Sequence, residues 1–98
     1  MAFILMTGSF PQYKAPDVGN TFLKLPKLPD FVRTIYVFLS AEGKTTFYSL
    51  YEVPDDKYFE GIKAIIKRYT GYREIEGYEY KLIPLLESKD ALAMIGLA

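Results

Sequence analysis

An α+β fold built on a four-stranded antiparallel sheet is predicted by three features of this 98-residue chain. Arg33 to Ser40 and Thr45 to Val53 are dense in aromatic and β-branched residues, with only Ala41 to Lys44 between them, which marks a β-hairpin. A long amphipathic stretch follows the hairpin, with apolar residues at helical spacing. Shorter apolar runs of strand character lie near both ends of the chain, at Phe3 to Ser9 and at Tyr78 to Ile83.

Each element has a local cause. Phe3 to Ser9 is apolar and then small and polar, as a strand leading into a turn would be. Four of the six prolines fall between Pro11 and Pro29, so this part is punctuated and partly irregular. Within it Pro16 to Leu25 is predicted as a short helix. Pro16 suits the first helical position, Asp17 suits the positive end of the dipole, and Val18, Phe22 and Leu25 share a face. Pro26 ends it. In the hairpin, Gly43 is the residue free to take a positive φ. Pro54-Asp55-Asp56 reads as a helix start that either aspartate can cap. Phe59, Ile62, Ile65, Ile66 and Tyr69 form one helical stripe, and Gly71 is the expected residue just past the end. Gly77 marks a turn before Tyr78 to Ile83, and Pro84 should end that strand or place it at an edge. Ser88 caps a short last helix with Leu92, Ile95 and Met94 toward its buried side. The order βαββαβ, followed by a short helix, is that of the ferredoxin-like split βαβ unit, a single domain over residues 1–98 with both main helices on one sheet face.

Composition removes many activities. Histidine and cysteine are both absent. Disulfides, thiol catalysis, imidazole acid–base chemistry and the usual nitrogen and sulfur ligands of transition metals are thereby excluded. Twelve basic and twelve acidic residues cancel, leaving no electrostatic footprint for nucleic acid or an anionic membrane. Glu74, Glu76 and Glu79, interleaved with Tyr69, Tyr72, Tyr78, Tyr80 and Arg73, oppose reading those tyrosines as base-stacking platforms. Asp55 and Asp56 sit at a helix start and read as dipole partners rather than a metal pair. Lys63, Lys67 and Arg68 read as a solvated helix face. No glycine-rich loop has phosphate-binding spacing, so no dinucleotide cofactor is expected. The apolar run after Met1 lacks a basic flank and a cleavage site, and no run approaches the roughly 20 residues of a membrane span. A cytoplasmic setting is expected.

The hairpin is apolar on both faces. Ile35, Val37 and Leu39 alternate with Thr34, Tyr36, Phe38 and Ser40. Helices can cover only one face, and an uncovered apolar patch marks an interface or a binding site. A second copy packed sheet against sheet is the simplest cover; tyrosines roofing a solvated face are the plainer alternative.

The order of elements resembles the dimeric α/β-barrel superfamily. The stretches SLYEVPDDKYFEGIKAI and GYREIEGYEYKLIPLLESKDAL resemble a branch of small bacterial proteins with that fold. The resemblance implies two ferredoxin-like protomers packing their sheets into a barrel. The superfamily includes cofactor-free monooxygenases, lactone isomerases, haem enzymes and ligand-sensing domains, so fold alone does not fix activity. Without histidine, the haem-binding and several catalytic roles of that superfamily are not expected here.

Hydroxyls on an aromatic wall are what a small-ligand cavity needs for orientation. If Ser40 pairs with Thr45 across the turn, Tyr36 faces Ser49 and Thr34 faces Tyr51. All four would then share the face opposite Ile35, Val37 and Leu39. Arg33 and Arg68 are further candidates, for a carboxylate-bearing ligand. Glu52 is expected at the rim of the other face, paired with Arg33. The leading functional expectation is a non-catalytic homodimer that binds a small apolar or aromatic molecule, or a protein, without metal or cofactor. A cofactor-independent monooxygenase or isomerase, and a purely structural or regulatory dimer, are the alternatives.

Overall fold

Alternation along the first strand sets the layers. In β1 (Ala2–Pro11), Ile4, Met6, Gly8 and Phe10 are buried, while Phe3, Leu5, Thr7 and Ser9 are half-buried and face the other way. In this computed structural model, which describes residues 1–97, β1 lies inside a four-stranded sheet with β2 (Arg33–Glu42), β3 (Lys44–Val53) and β4 (Glu79–Leu85). The strand order is β2-β3-β1-β4 and every pairing is antiparallel. Three helices complete the α+β fold: α1 (Ala15–Phe22), α2 (Tyr58–Tyr69) and α3 (Ser88–Met94). Short 3₁₀ turns lead into α1 and α2 and follow α2.

Val18 of α1 and Ile65 and Tyr69 of α2 join Ile4, Met6, Phe10, Tyr51 and Val53 in one core cluster, so α1 and α2 share a face of the sheet. The approach of α2 to β3 is close because Gly61 has no side chain. A Cβ there would lie 2.8 Å from Val53 Cγ1. Gly8 plays the same part in β1, where a Cβ would collide with the Tyr78 hydroxyl. Tyr78 in turn stacks on Tyr72, with centroids 4.5 Å apart.

The elements differ from the sequence expectations at several points. α1 is shorter, ending at Phe22 rather than Leu25. The inward phase of α2 runs through Tyr58, Gly61, Ile62, Ile65 and Tyr69, which leaves Phe59 70 % exposed under the Lys63 ammonium. Neither Asp55 nor Asp56 caps a helix through its side chain; Asp55 instead pairs with the terminal ammonium of Met1 at 3.3 Å. Gly71 has no positive φ, because the chain runs on from α2 into a 3₁₀ turn over Thr70–Tyr72. Its missing Cβ makes room for the Leu25 side chain. β4 includes Pro84 and sits at the sheet edge, where a missing N–H is tolerated. Ser88 is the first residue of α3, not its cap, and Leu92, Met94 and Ile95 are exposed.

The hairpin carries the largest correction. Gly43, with φ +83°, is the sole residue between the paired ends Glu42 and Lys44. Ser40 therefore pairs with Thr46, not Thr45. From Tyr36 onward this moves β2 by one residue against β3. The register returns at a bulge between Thr34 and Tyr36, so Thr34 still faces Tyr51. A one-residue shift exchanges the faces. Val37, not Tyr36, faces Ser49, and Tyr36 lies on the uncovered face opposite Leu50.

The outline is elongated, with extents of 47 × 29 × 18 Å and a radius of gyration of 15.1 Å. A compact domain of this length has about 13 Å. β2 accounts for part of the excess by standing at an edge outside the helical layer. Val37 and Leu39 on its helix side are 56 and 60 % exposed, and Tyr36 and Phe38 on the other side 58 and 60 %. Among the described residues no helix is long and apolar enough to cross a membrane.

Candidate functional site: a cavity beneath the first helix

The space that α1 leaves over β2 and β3 is a cavity of about 640 Å³. That falls within the roughly 300–1,000 Å³ of small-molecule sites. Val37, Leu39 and Phe47 form its floor, and Val18, Gly19 and Phe22 of α1 its roof. Gly19 matters because a Cβ built on it meets no atom within 4 Å, so this face of α1 looks onto open space. The exposed edges of Val37 and Leu39 give the cavity its opening along β2.

One wall is a chain of hydroxyls. Tyr69, in the last turn of α2, donates its hydroxyl to Ser49 Oγ at 3.1 Å, and the Tyr51 and Tyr69 hydroxyls lie 3.4 Å apart. Ser49 and Tyr51 are buried on β3 with side chains on the helix side, and α2 brings Tyr69 down onto them. Tyr72 and Tyr78 extend the wall as a stacked pair. Burial pushes the Tyr72 phenol up to about 12, and it raises Tyr51 and Tyr78 well above the ordinary phenol range. These groups are therefore neutral hydrogen-bonding partners across the physiological range.

Arg68 stands at the margin of this wall. It is half-buried rather than on a solvated face. Its Nη1 donates to the Pro26 carbonyl at 2.6 Å, and its guanidinium carbon is 5.3 Å from the centre of the Phe22 ring. The last residue of α1 and the loop that follows it thus hold the guanidinium in place from two sides.

Of the residues singled out by sequence, Thr34, Ser49, Tyr51 and Arg68 line this one cavity, together with Val37 and Leu39, which the expected pairing places on the opposite face. Tyr36 does not join them, because the hairpin register turns it to the open face. There it stacks on Phe38 with centroids 5.5 Å apart. Arg33 also stays outside the cavity and pairs with Glu52 at 3.5 Å. Sequence reasoning missed the roof and the Tyr69–Tyr72–Tyr78 wall. The signal was present in the tyrosine-rich run after Ile66, of which Tyr69 and Tyr72 are core residues and Tyr78 packs against them. Among the described residues no cluster of three carboxylates could hold a metal ion. The chain matches no family model, and neither a curated protein nor a solved structure matches it.

Proposed function

We propose that the protein binds a small apolar or aromatic molecule beneath α1, and that its protomer is a ferredoxin-like unit paired sheet to sheet with a second copy, as in a dimeric α/β barrel. The cavity carries the first part. It has an apolar floor and roof, a wall of satisfied hydroxyls and an open side, which together suit a ligand held by shape and oriented by a few polar contacts. Tyr51, Tyr72 and Tyr78 keep their protons, and among the described residues no carboxylate or lysine lines the space, which favours binding over acid–base catalysis. The second part rests on the uncovered face, where Tyr36 and Phe38 are more than half exposed.

The two parts use opposite faces of the sheet, so each can fail alone. A neutral fluorophore, N-phenyl-1-naphthylamine, tests the cavity. Its emission should rise on binding to the wild type and clearly less with Gly19→Leu, whose added side chain takes up part of the space. A helical Gly→Leu change outside the packed core should leave the fold at least as stable, by up to about 1 kcal/mol. Equal binding by both proteins would place the fluorophore elsewhere and sink the cavity reading. Light scattering at micromolar concentration tests the assembly: about twice the 11.2 kDa chain mass is expected for the wild type and a monomer for Phe38→Glu. A monomeric wild type at high concentration would refute the barrel.

A further inference from the structure

We infer that the ligand of this cavity is a monocarboxylate: an apolar or aromatic body seated beneath α1, with its carboxylate held by Arg68. The inference rests on the cavity reading above and adds the ligand's charge and orientation.

Three observations carry it. Among the described residues, Arg68 is the one charged residue that lines the cavity. An apolar space with a single guanidinium at its margin accepts one negative charge and disfavours a cationic ligand. Second, the guanidinium is positioned in advance. The Pro26 carbonyl takes one of its five donors and Phe22 takes one face of its plane. Among the described residues, the carboxylates that form ion pairs do so with Met1, Lys14, Arg33, Lys44 and Arg73, not with Arg68. Its remaining donors are thus available to a carboxylate, which they match as a fork. Third, Arg68 lies where the cavity meets a shallower groove. Leu28, Thr34 and Arg68 border both spaces, and the groove adds Lys27 and the Glu52-paired Arg33 against a single lining acid, Asp30. The cavity therefore runs from an apolar interior to a basic rim. An amphipathic anion entering body first meets both environments in the right order. The positive charge also reaches the hydroxyl wall: Arg68 partly offsets the upward push that burial gives Tyr51 and Tyr72.

Displacement of N-phenyl-1-naphthylamine by two matched pairs tests this: decanoate against decan-1-ol, and 2-naphthoate against 2-naphthol, at pH 7. In each pair the carboxylate should bind about 10- to 100-fold more tightly than the alcohol, the span of one charge-assisted hydrogen-bonded contact. Added salt should narrow the gap. Arg68→Gln should weaken carboxylate binding by at least about tenfold and leave the alcohols within about twofold, and Arg68→Lys should fall between, keeping the charge without the fork. If Arg68→Gln does not fold, the wild-type comparison still decides. Carboxylates that bind no better than their alcohols, while the fluorophore binds, overturn the inference and leave the cavity reading standing. Failure of the fluorophore and of every competitor overturns the cavity reading itself.

Discussion

Tyr69 of α2 and Ser49 of β3 are joined by a buried hydrogen bond of 3.1 Å, the shorter of the two side-chain contacts, with Tyr51 supplying the other at 3.4 Å, that tie this helix to the sheet among the described residues. The bond also fixes the rotamer that turns the Tyr69 ring into the cavity wall. Ser49→Ala and Tyr69→Phe should each cost about 0.5–1.5 kcal/mol by urea unfolding. The double variant should cost less than the two together, by at least about 0.5 kcal/mol. Strict additivity would mean that the two hydroxyls do not interact in solution.

Ile65 is fully buried, and Ile62, one turn earlier, only partly so. Ile65→Ala should cost about 2–5 kcal/mol, a large part of the stability of so small a domain. Ile62→Ala should cost clearly less. A cost below about 1 kcal/mol for Ile65 would displace it from the centre of the core.

Gly61 lets α2 rest on Val53. Gly61→Ala should gain helix propensity of up to about 1 kcal/mol, yet its methyl would sit 2.8 and 3.0 Å from the two Val53 methyl groups. The crowding should win and leave the variant destabilised by about 1–3 kcal/mol. Combining it with Val53→Ala, which removes both offending methyls, should give a smaller loss than the sum of the single changes. An additive double would show that the helix does not lie this close.

The buried tyrosines set a limit at high pH. An unfolded phenol ionises near pH 10, whereas Tyr72 in the fold holds its proton to about 12 and Tyr51 and Tyr78 hold theirs longer. Below pH 10 both states are protonated and stability from this source is fully present. As pH rises past 10 the unfolded chain loses protons that the native one keeps, so stability falls, and goes on falling toward the folded values. Absorbance near 295 nm should show some of the nine tyrosines ionising only as the protein unfolds. Uniform titration of all nine near pH 10 with the fold intact would contradict the burial of this wall.

Much of the fold was legible in the residues, because each element announced itself by a mechanism that tertiary packing left alone. The alternation of β1, the glycine between two β-branched runs and the 3.6-residue period of α2 all point to structure that is present. The exact phases were harder. In α2, Phe59 and Ile66 looked like core by hydropathy alone. The inward side was decided instead by Gly61, which hydropathy does not mark and which allows the closest approach to β3. In β2 nearly every side chain is apolar, so no periodicity distinguishes its two faces. A bulge without a glycine leaves no local mark, so the parity of Tyr36 could not be read from the chain. That is why Thr34, Ser49 and Tyr51 could be grouped from sequence while Tyr36 was grouped with them in error. From sequence Arg68 is a charge on a helix and a candidate for a carboxylate, with nothing to say which surface it joins. Its placement depends on Phe22 and Pro26, more than forty residues earlier, a relation that no local pattern contains.

The bulge in β2 has a consequence for how this chain can change in length. Ile35 is the residue that β3 leaves unmatched, so the strand holds one position more than its ladder uses. Deleting Ile35 removes the surplus and keeps Thr34 and Val37 over the cavity and Tyr36 and Phe38 on the open face. Deleting Val37 instead would force residues on one side of the gap to exchange faces, carrying an aromatic ring into the cavity or a cavity residue out of it. The first deletion should leave a cooperatively folding protein in urea, and the second should not. In this strand, a frame of two alternating phases is kept in step by a single spare residue, and the lining of the cavity survives a loss of length only there.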